Sequence, residues 1–140
     1  MKNLLFLTAV FFLMTASKCE KESGNTFNLG ETFSLKMGES IKCKNCDNLM
    51  VQFMEVKEDS RCPEFTNCVW EGQAVVSFSI QSEENSTLEL VSRKGQPQLA
   101  KKVMGDYSYS LIKVDPYPQS GSQIKDEDYV LEMTVEKIKS

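Results

Sequence analysis

The sequence predicts an all-β protein: a single antiparallel β-sandwich or barrel-like domain of about seven to eight short strands, stapled by disulfides. Three observations carry this. From Phe27 onward the apolar and polar residues alternate, which is the period of a half-buried strand. The alternating runs are short and bounded by turn-forming residues. No convincing helical period lies between them.

Phe33, Leu35 and Met37 alternate with Thr32, Ser34 and Lys36. Met50 to Val56 reads as a longer and more apolar strand, with Val51, Phe53 and Val56 on one side. Ala74 to Ile80 is rich in β-formers and alternates from Val76. Leu88 to Val91, Tyr107 to Val114 and Tyr129 to Val135 complete the set. The punctuation is Met37-Gly38-Glu39, Asp47-Asn48, Glu83-Glu84-Asn85-Ser86, Lys94-Gly95-Gln96-Pro97 and Pro116-Tyr117-Pro118-Gln119-Ser120-Gly121. Leu99 to Met104 is expected to add a helical turn or an irregular crossover. Periodicity does not separate sandwich from barrel, and the chain carries no internal repeat.

Residues 1–17 read as a secretory signal. Lys2 supplies the positive end and Leu4 to Met14 the apolar run, within the ~7–15 residues of a signal and short of the ~20 of a spanning helix. The run is apolar on every face, unlike an amphipathic core helix. Two processing modes are open. Cys19 follows the run where a lipoprotein carries its lipidated cysteine, but the preceding residue is Lys18 rather than a small one. Thr15-Ala16-Ser17 offers an ordinary cleavage site that leaves Lys18 first. Residues 18–26, charged and small, are expected to be a flexible tether, and 27–140 the β domain. About 120 mature residues suit one domain.

The chain has 16 Lys and Arg against 20 Asp and Glu, a formal net charge of −4. Without a basic stripe it lacks the electrostatic footprint of a nucleic-acid binder, and the mild acidity reads as solubility. Contact with a membrane is expected only through a lipid on Cys19, and the partner is a protein or another envelope ligand.

Four cysteines remain once Cys19 is set aside. Cys62 and Cys68 enclose five residues, and Pro63 holds Cys62 extended, as at a strand end entering a loop. Their bridge is either a plain staple or the frame of a rigid partner-binding loop, Pro63, Glu64, Phe65, Thr66 and Asn67, preorganised as inhibitor loops are. Cys43 and Cys46 form a Cys-x-x-Cys, readable as a local disulfide, a redox pair or half of a zinc site. Export and the wide second spacing count against zinc, and a turn between strands is the wrong setting for a redox helix. Of three connectivities, 43–46 with 62–68 is the one carried forward. Asp59, Arg61 and Trp70 form a further cluster. Arg61 is expected to pair with Asp59 and lie over the Trp70 ring as a polar lid on a core tryptophan.

The sequence contains no histidine, so Ser-His-Asp and Cys-His nucleophile pairs are excluded, as are histidine-containing zinc sites. It has no phosphate-binding glycine loop and no nucleophile elbow. Asp126-Glu127-Asp128 reads as a solvated turn, without the spacing of a calcium loop. No cofactor or metal is expected, and the function expected is non-enzymatic. Asn85-Ser86-Thr87 is a glycosylation sequon by pattern only.

Asp59-Ser60-Arg61-Cys62-Pro63, then Cys68-Val69-Trp70-Glu71-Gly72 leading into Ala74-Val75-Val76, resembles a signature of small exported bacterial proteins and lipoproteins. Leu29 to Leu35 resembles that family's opening strand, and Val114-Asp115-Pro116-Tyr117-Pro118 with Asp128-Tyr129 its closing third, so most of the mature chain is covered. The chain departs from the pattern at Glu71, where alanine is usual, and in carrying Cys43 and Cys46. The resemblance implies export, a β fold and a 62–68 disulfide, and no activity. The reading carried forward is an exported cell-envelope binding or structural module (periplasmic, outer-membrane-anchored or extracellular). Its competitors are a thiol-disulfide oxidoreductase using Cys43 and Cys46, and an inhibitor of a secreted hydrolase through the 62–68 loop.

Overall fold

A strand that alternates apolar and polar residues has one face to bury, and two such sheets can bury theirs against each other. The computed structural model describes residues 25–138 and arranges them in this way. The expected signal segment 1–17, Cys19 and the tether as far as residue 24 lie outside the described residues. Among the described residues there are nine strands: β1 (Thr26–Phe27), β2 (Thr32–Lys36), β3 (Ser40–Cys43), β4 (Met50–Asp59), β5 (Ala74–Gln81), β6 (Ser86–Ser92), β7 (Lys101–Met104), β8 (Tyr107–Asp115) and β9 (Val130–Lys137). One sheet has the order β1-β3-β4-β5-β6 and the other β2-β9-β8-β7. Both are open, so the architecture is a sandwich and not a closed barrel.

Among the described residues every strand pairing is antiparallel except one, and an isolated parallel bridge joins Glu64 and Gln119. β1 runs parallel to β3, with Thr26 opposite Lys42 and Phe27 opposite Cys43. The fold thus departs from a purely antiparallel sandwich, and its first strand begins at the last residue of the expected tether. Strands β1, β3 and β7 raise the number above the expected seven to eight. Each is short and carries a weak signal. β1 has two residues, β3 reads as part of the cysteine motif, and β7 is a Lys-containing edge strand with no buried residue, as sheet edges often are. The expected crossover around Leu99 to Met104 is a short 3₁₀ turn, Pro97–Ala100, running into β7.

The core lies between the sheets. Phe53 and Phe78 sit opposite one another on β4 and β5 with ring centroids 6.1 Å apart. Leu35, Leu131, Met133 and Tyr109 close over them from the second sheet. Bulges keep the long strands in phase with this core. In β4 the register slips by one residue between Phe53 and Glu55, and again between Val56 and Glu58. Val51, Phe53, Val56 and Asp59 therefore lie opposite Ile80, Phe78, Val76 and Ala74, all on the inner face. Without the first bulge Val56 would point outward. A matching slip in β8 between Leu111 and Lys113 returns Val114 to the core and leaves Ile112 exposed.

Phe53→Ala is expected to cost about 3–5 kcal/mol in chemical denaturation, because the cavity lies where neither sheet can collapse. Ile112→Ala, on the outer face of its bulge, is expected to stay within about 0.5 kcal/mol.

Candidate functional site

The site is built at the end of the sandwich where β4 leaves the sheet. The second bulge turns the Asp59 side chain inward at the rim of the core, opposite Ala74. Two residues later Arg61 turns back on it. The guanidinium grips the carboxylate with two bonds, Nε to Oδ1 at 2.8 Å and Nη2 to Oδ2 at 2.7 Å. It then reaches across to the other sheet, donating from Nη1 to the Val114 carbonyl at 2.6 Å and from Nη2 to the Pro116 carbonyl at 3.0 Å. Tyr129, at the entry to β9, donates its hydroxyl to Asp59 Oδ2 at 2.9 Å. Both charged side chains are less than 10% exposed: 7% for Arg61 and 9% for Asp59. This buried, fully partnered ion pair ties β4 to the ends of β8 and β9.

The expected pairing of Arg61 with Asp59 is present, but its expected contact with Trp70 is not. Arg61 stacks on the Tyr117 ring, 4.9 Å from its centroid. Trp70 is 73% exposed. The tryptophan is therefore not a core residue, and the correction has a local cause. Past Cys68 the chain stays outside the sandwich until the Glu71 and Gln73 carbonyls accept from the Cys62 and Ser60 N–H groups, and Val69 and Trp70, which precede that return, are left exposed.

Both expected disulfides are formed. Cys62 and Cys68 are joined with their Cα atoms 5.9 Å apart, and Cys43 and Cys46 with theirs 5.5 Å apart. The register puts them at opposite ends. Cys43 lies beyond the Lys42–Met50 pair, whereas Cys62 follows Asp59 at the far end of β4. The pairs are thus too far apart to form one four-thiolate zinc centre. Cys43 is buried at the end of its strand and Cys46 half-buried in the following turn, with no helix to present either sulfur. Two disulfides are compatible with an oxidising compartment.

The 62–68 loop is framed on every side. Cys62 donates its N–H to the Glu71 carbonyl at 3.1 Å, and Glu64 donates its own to the Pro118 carbonyl at 3.0 Å. Thr66 closes a turn onto the Pro63 carbonyl through both its N–H and its hydroxyl. Gly72 ends the loop at φ +65°, and a Cβ there would lie 1.7 Å from the Ser60 carbonyl oxygen, so no other residue fits. Within this frame Phe65 adopts φ +60°, a left-handed conformation that costs a non-glycine residue about 1–3 kcal/mol. Its ring is fully exposed, and so is Val69 at 94%.

Of the expected loop residues, Glu64, Phe65, Thr66 and Asn67 are exposed and Pro63 is half-buried. Sequence reasoning did not place Val69 and Trp70 on this surface. Asp126-Glu127-Asp128 forms a short exposed 3₁₀ turn, as a solvated turn should. At the opposite end of the sandwich an open cleft of about 500 Å³ lies between the β5–β6 and β7–β8 turns, edged by Asp47, Glu83, Glu84, Asp106 and Tyr107. Among the described residues no group of three or more His, Cys, Asp or Glu is placed to hold a metal ion.

Burial pushes the Asp59 carboxyl upward, but the hydrogen bonds and charge of Arg61, with the Tyr129 hydroxyl, outweigh it and hold it below its usual value of 3.8. Burial and the Asp59 carboxylate push the Tyr129 phenol up to about 12. Each shift contributes stability over its own pH range. For Asp59 the contribution is present above the unfolded value near 4 and is lost as the pH falls through the lower folded value. For Tyr129 it is present below the unfolded value of 10.0 and is lost as the pH rises toward 12. Denaturation as a function of pH should show both limbs, with the acid one flattened in Asp59→Asn. Arg61→Met is expected to cost about 3–5 kcal/mol in the same measurement, because it strands a buried carboxylate and two carbonyls.

No family model, no curated protein and no solved structure matches this chain.

Proposed function

We propose that this protein is an exported module of the bacterial cell envelope that acts by binding rather than by catalysis, docking on a partner through the 62–70 loop. The observation that carries this reading is the exposure of Phe65, Val69 and Trp70 together on a loop that the 62–68 disulfide, the Gly72 turn and the Asp59–Arg61 pair hold rigid. Large apolar side chains on a preordered loop lose little entropy on docking, and Trp and aromatic anchors dominate the energetics of most interfaces. A strained backbone at Phe65, whose ring stabilises nothing in the free protein, has a reason only if the ring meets something else. The leader supports export, Cys19 supports a lipid anchor and Thr15-Ala16-Ser17 release as a free chain, and the Asp59 to Gly72 segment supports kinship with the exported bacterial proteins it resembles.

A secreted hydrolase as the partner would make the protein an inhibitor, and the convex, stapled, strained loop favours that variant. The oxidoreductase reading has less support. Cys43 is buried, which hinders attack on its sulfur, and among the described residues no helix presents either cysteine.

Phe65→Gly and Trp70→Ala separate binding from folding. Phe65→Gly relieves the left-handed strain, so its thermal midpoint should equal or exceed that of the parent. Trp70→Ala should leave the midpoint unchanged. Each should weaken retention of the partner from solubilised envelope by tenfold or more, the ~2 kcal/mol of an interface anchor. Unchanged retention in both variants would remove the loop as the docking surface.

A further inference from the structure

Charge on the loop narrows the chemistry of what it meets. The segment from Glu58 to Gln73 carries the carboxylates Glu58, Asp59, Glu64 and Glu71 and one basic residue, Arg61. Arg61 and Asp59 are buried against each other and present no charge to a partner. What the segment shows to solvent is therefore the apolar side chains of Phe65, Val69 and Trp70, with the exposed carboxylates Glu64 and Glu71 next to them in the chain and Glu58 at its start. Lys94 lies 3.6 Å from Glu71, with its own side chain 84% exposed. A surface pair of that kind is weak and yields to a better-placed partner.

We infer that the partner is a protein with an apolar cleft rimmed by lysine and arginine, into which the Phe65–Trp70 tip inserts while Glu64 and Glu71 meet the rim. The inference rests on the loop being the docking surface and adds the chemistry of the other side. Three occupants are physically available to an exposed aromatic tip, and the carboxylates discriminate among them. An anionic lipid surface repels them and draws basic segments instead. A second copy docked tip to tip about a two-fold axis sets Glu64 and Glu71 against identical charges. A cleft with a basic rim attracts them at long range and leaves the aromatic side chains to supply the buried contact.

The test uses the full chain in its native envelope, with the photocrosslinker p-benzoylphenylalanine placed at position 65 or 70, and at position 84 on the opposite end as control. Crosslinks from 65 and 70 should join one protein, at peptides that line an apolar cleft bordered by Lys and Arg, with no adduct from 84. Combining Glu64→Lys with Glu71→Lys should lower the yield about tenfold, as charge reversal at a complementary rim does. The wild-type side chains at 64 and 71 provide an independent measure. Raising the salt from about 0.01 M to about 1 M shortens the screening length from ~30 Å to ~3 Å and should lower the yield at position 65 several-fold. Adducts to lipid, to a second copy or to a surface with an acidic rim would overturn the inference while leaving the loop as a docking surface. So would a yield indifferent to both salt and charge reversal. Yields at 65 and 70 no greater than at 84 would overturn the docking reading itself.

Discussion

The Asp59–Arg61 ion pair is the constraint on which this end of the molecule depends. Two charges out of water destabilise a fold unless each is matched, and here the matching partners come from three separate parts of the chain. Arg61 satisfies the carbonyls of Val114 and Pro116, and Tyr129 completes the carboxylate. The pair is therefore fully satisfied only when β4, β8 and the entry to β9 are in register. A hydrophobic cluster of the same volume would tolerate slippage among those strands. A bidentate guanidinium does not, because its bonds are directional.

That pair also sets the geometry of the loop beyond it. Its anchor at Asp59 depends on two bulges in β4, each adding one residue, and its exit depends on Gly72 passing within contact of the Ser60 carbonyl. Between these fixed points the disulfide shortens the path, and Phe65 is left with a backbone conformation glycine would take more cheaply. The segment from Asp59 to Gly72 thus divides physically. Asp59, Arg61, Cys62, Cys68 and Gly72 have roles inside the frame. Val69 and Trp70 have none there, and an exposed tryptophan without a structural role is what makes the loop a candidate surface.

The two disulfides do unrelated work. The 62–68 bridge lies exposed at the loop end, whereas 43–46 closes the β3–β4 turn at the other end, where Lys44 also donates its N–H to the Phe27 carbonyl at 2.9 Å and holds the short parallel strand β1 in place. Stapling both ends suits a domain with one modest core, and two disulfides are compatible with an oxidising compartment.

Much of this was legible in the residues. Alternation identified the six long strands, their turns and the inner faces of Phe33, Leu35, Val51, Phe53 and Val76, because burial of one sheet face imposes a period of two. Local spacing was enough for the two disulfides and for Asp59 pairing with Arg61, since those partners lie within six residues of each other. Val56 was also assigned to the correct face, although the bulge that puts it there leaves no mark in the pattern. Sandwich against barrel, the parallel β1–β3 pair and the edge strand β7 were decided by pairing between segments far apart in sequence. So was the fate of Trp70. An apolar residue beside a disulfide reads as core until the ring that fills the place beneath Arg61 is known, and that ring is Tyr117, more than fifty residues away along the chain.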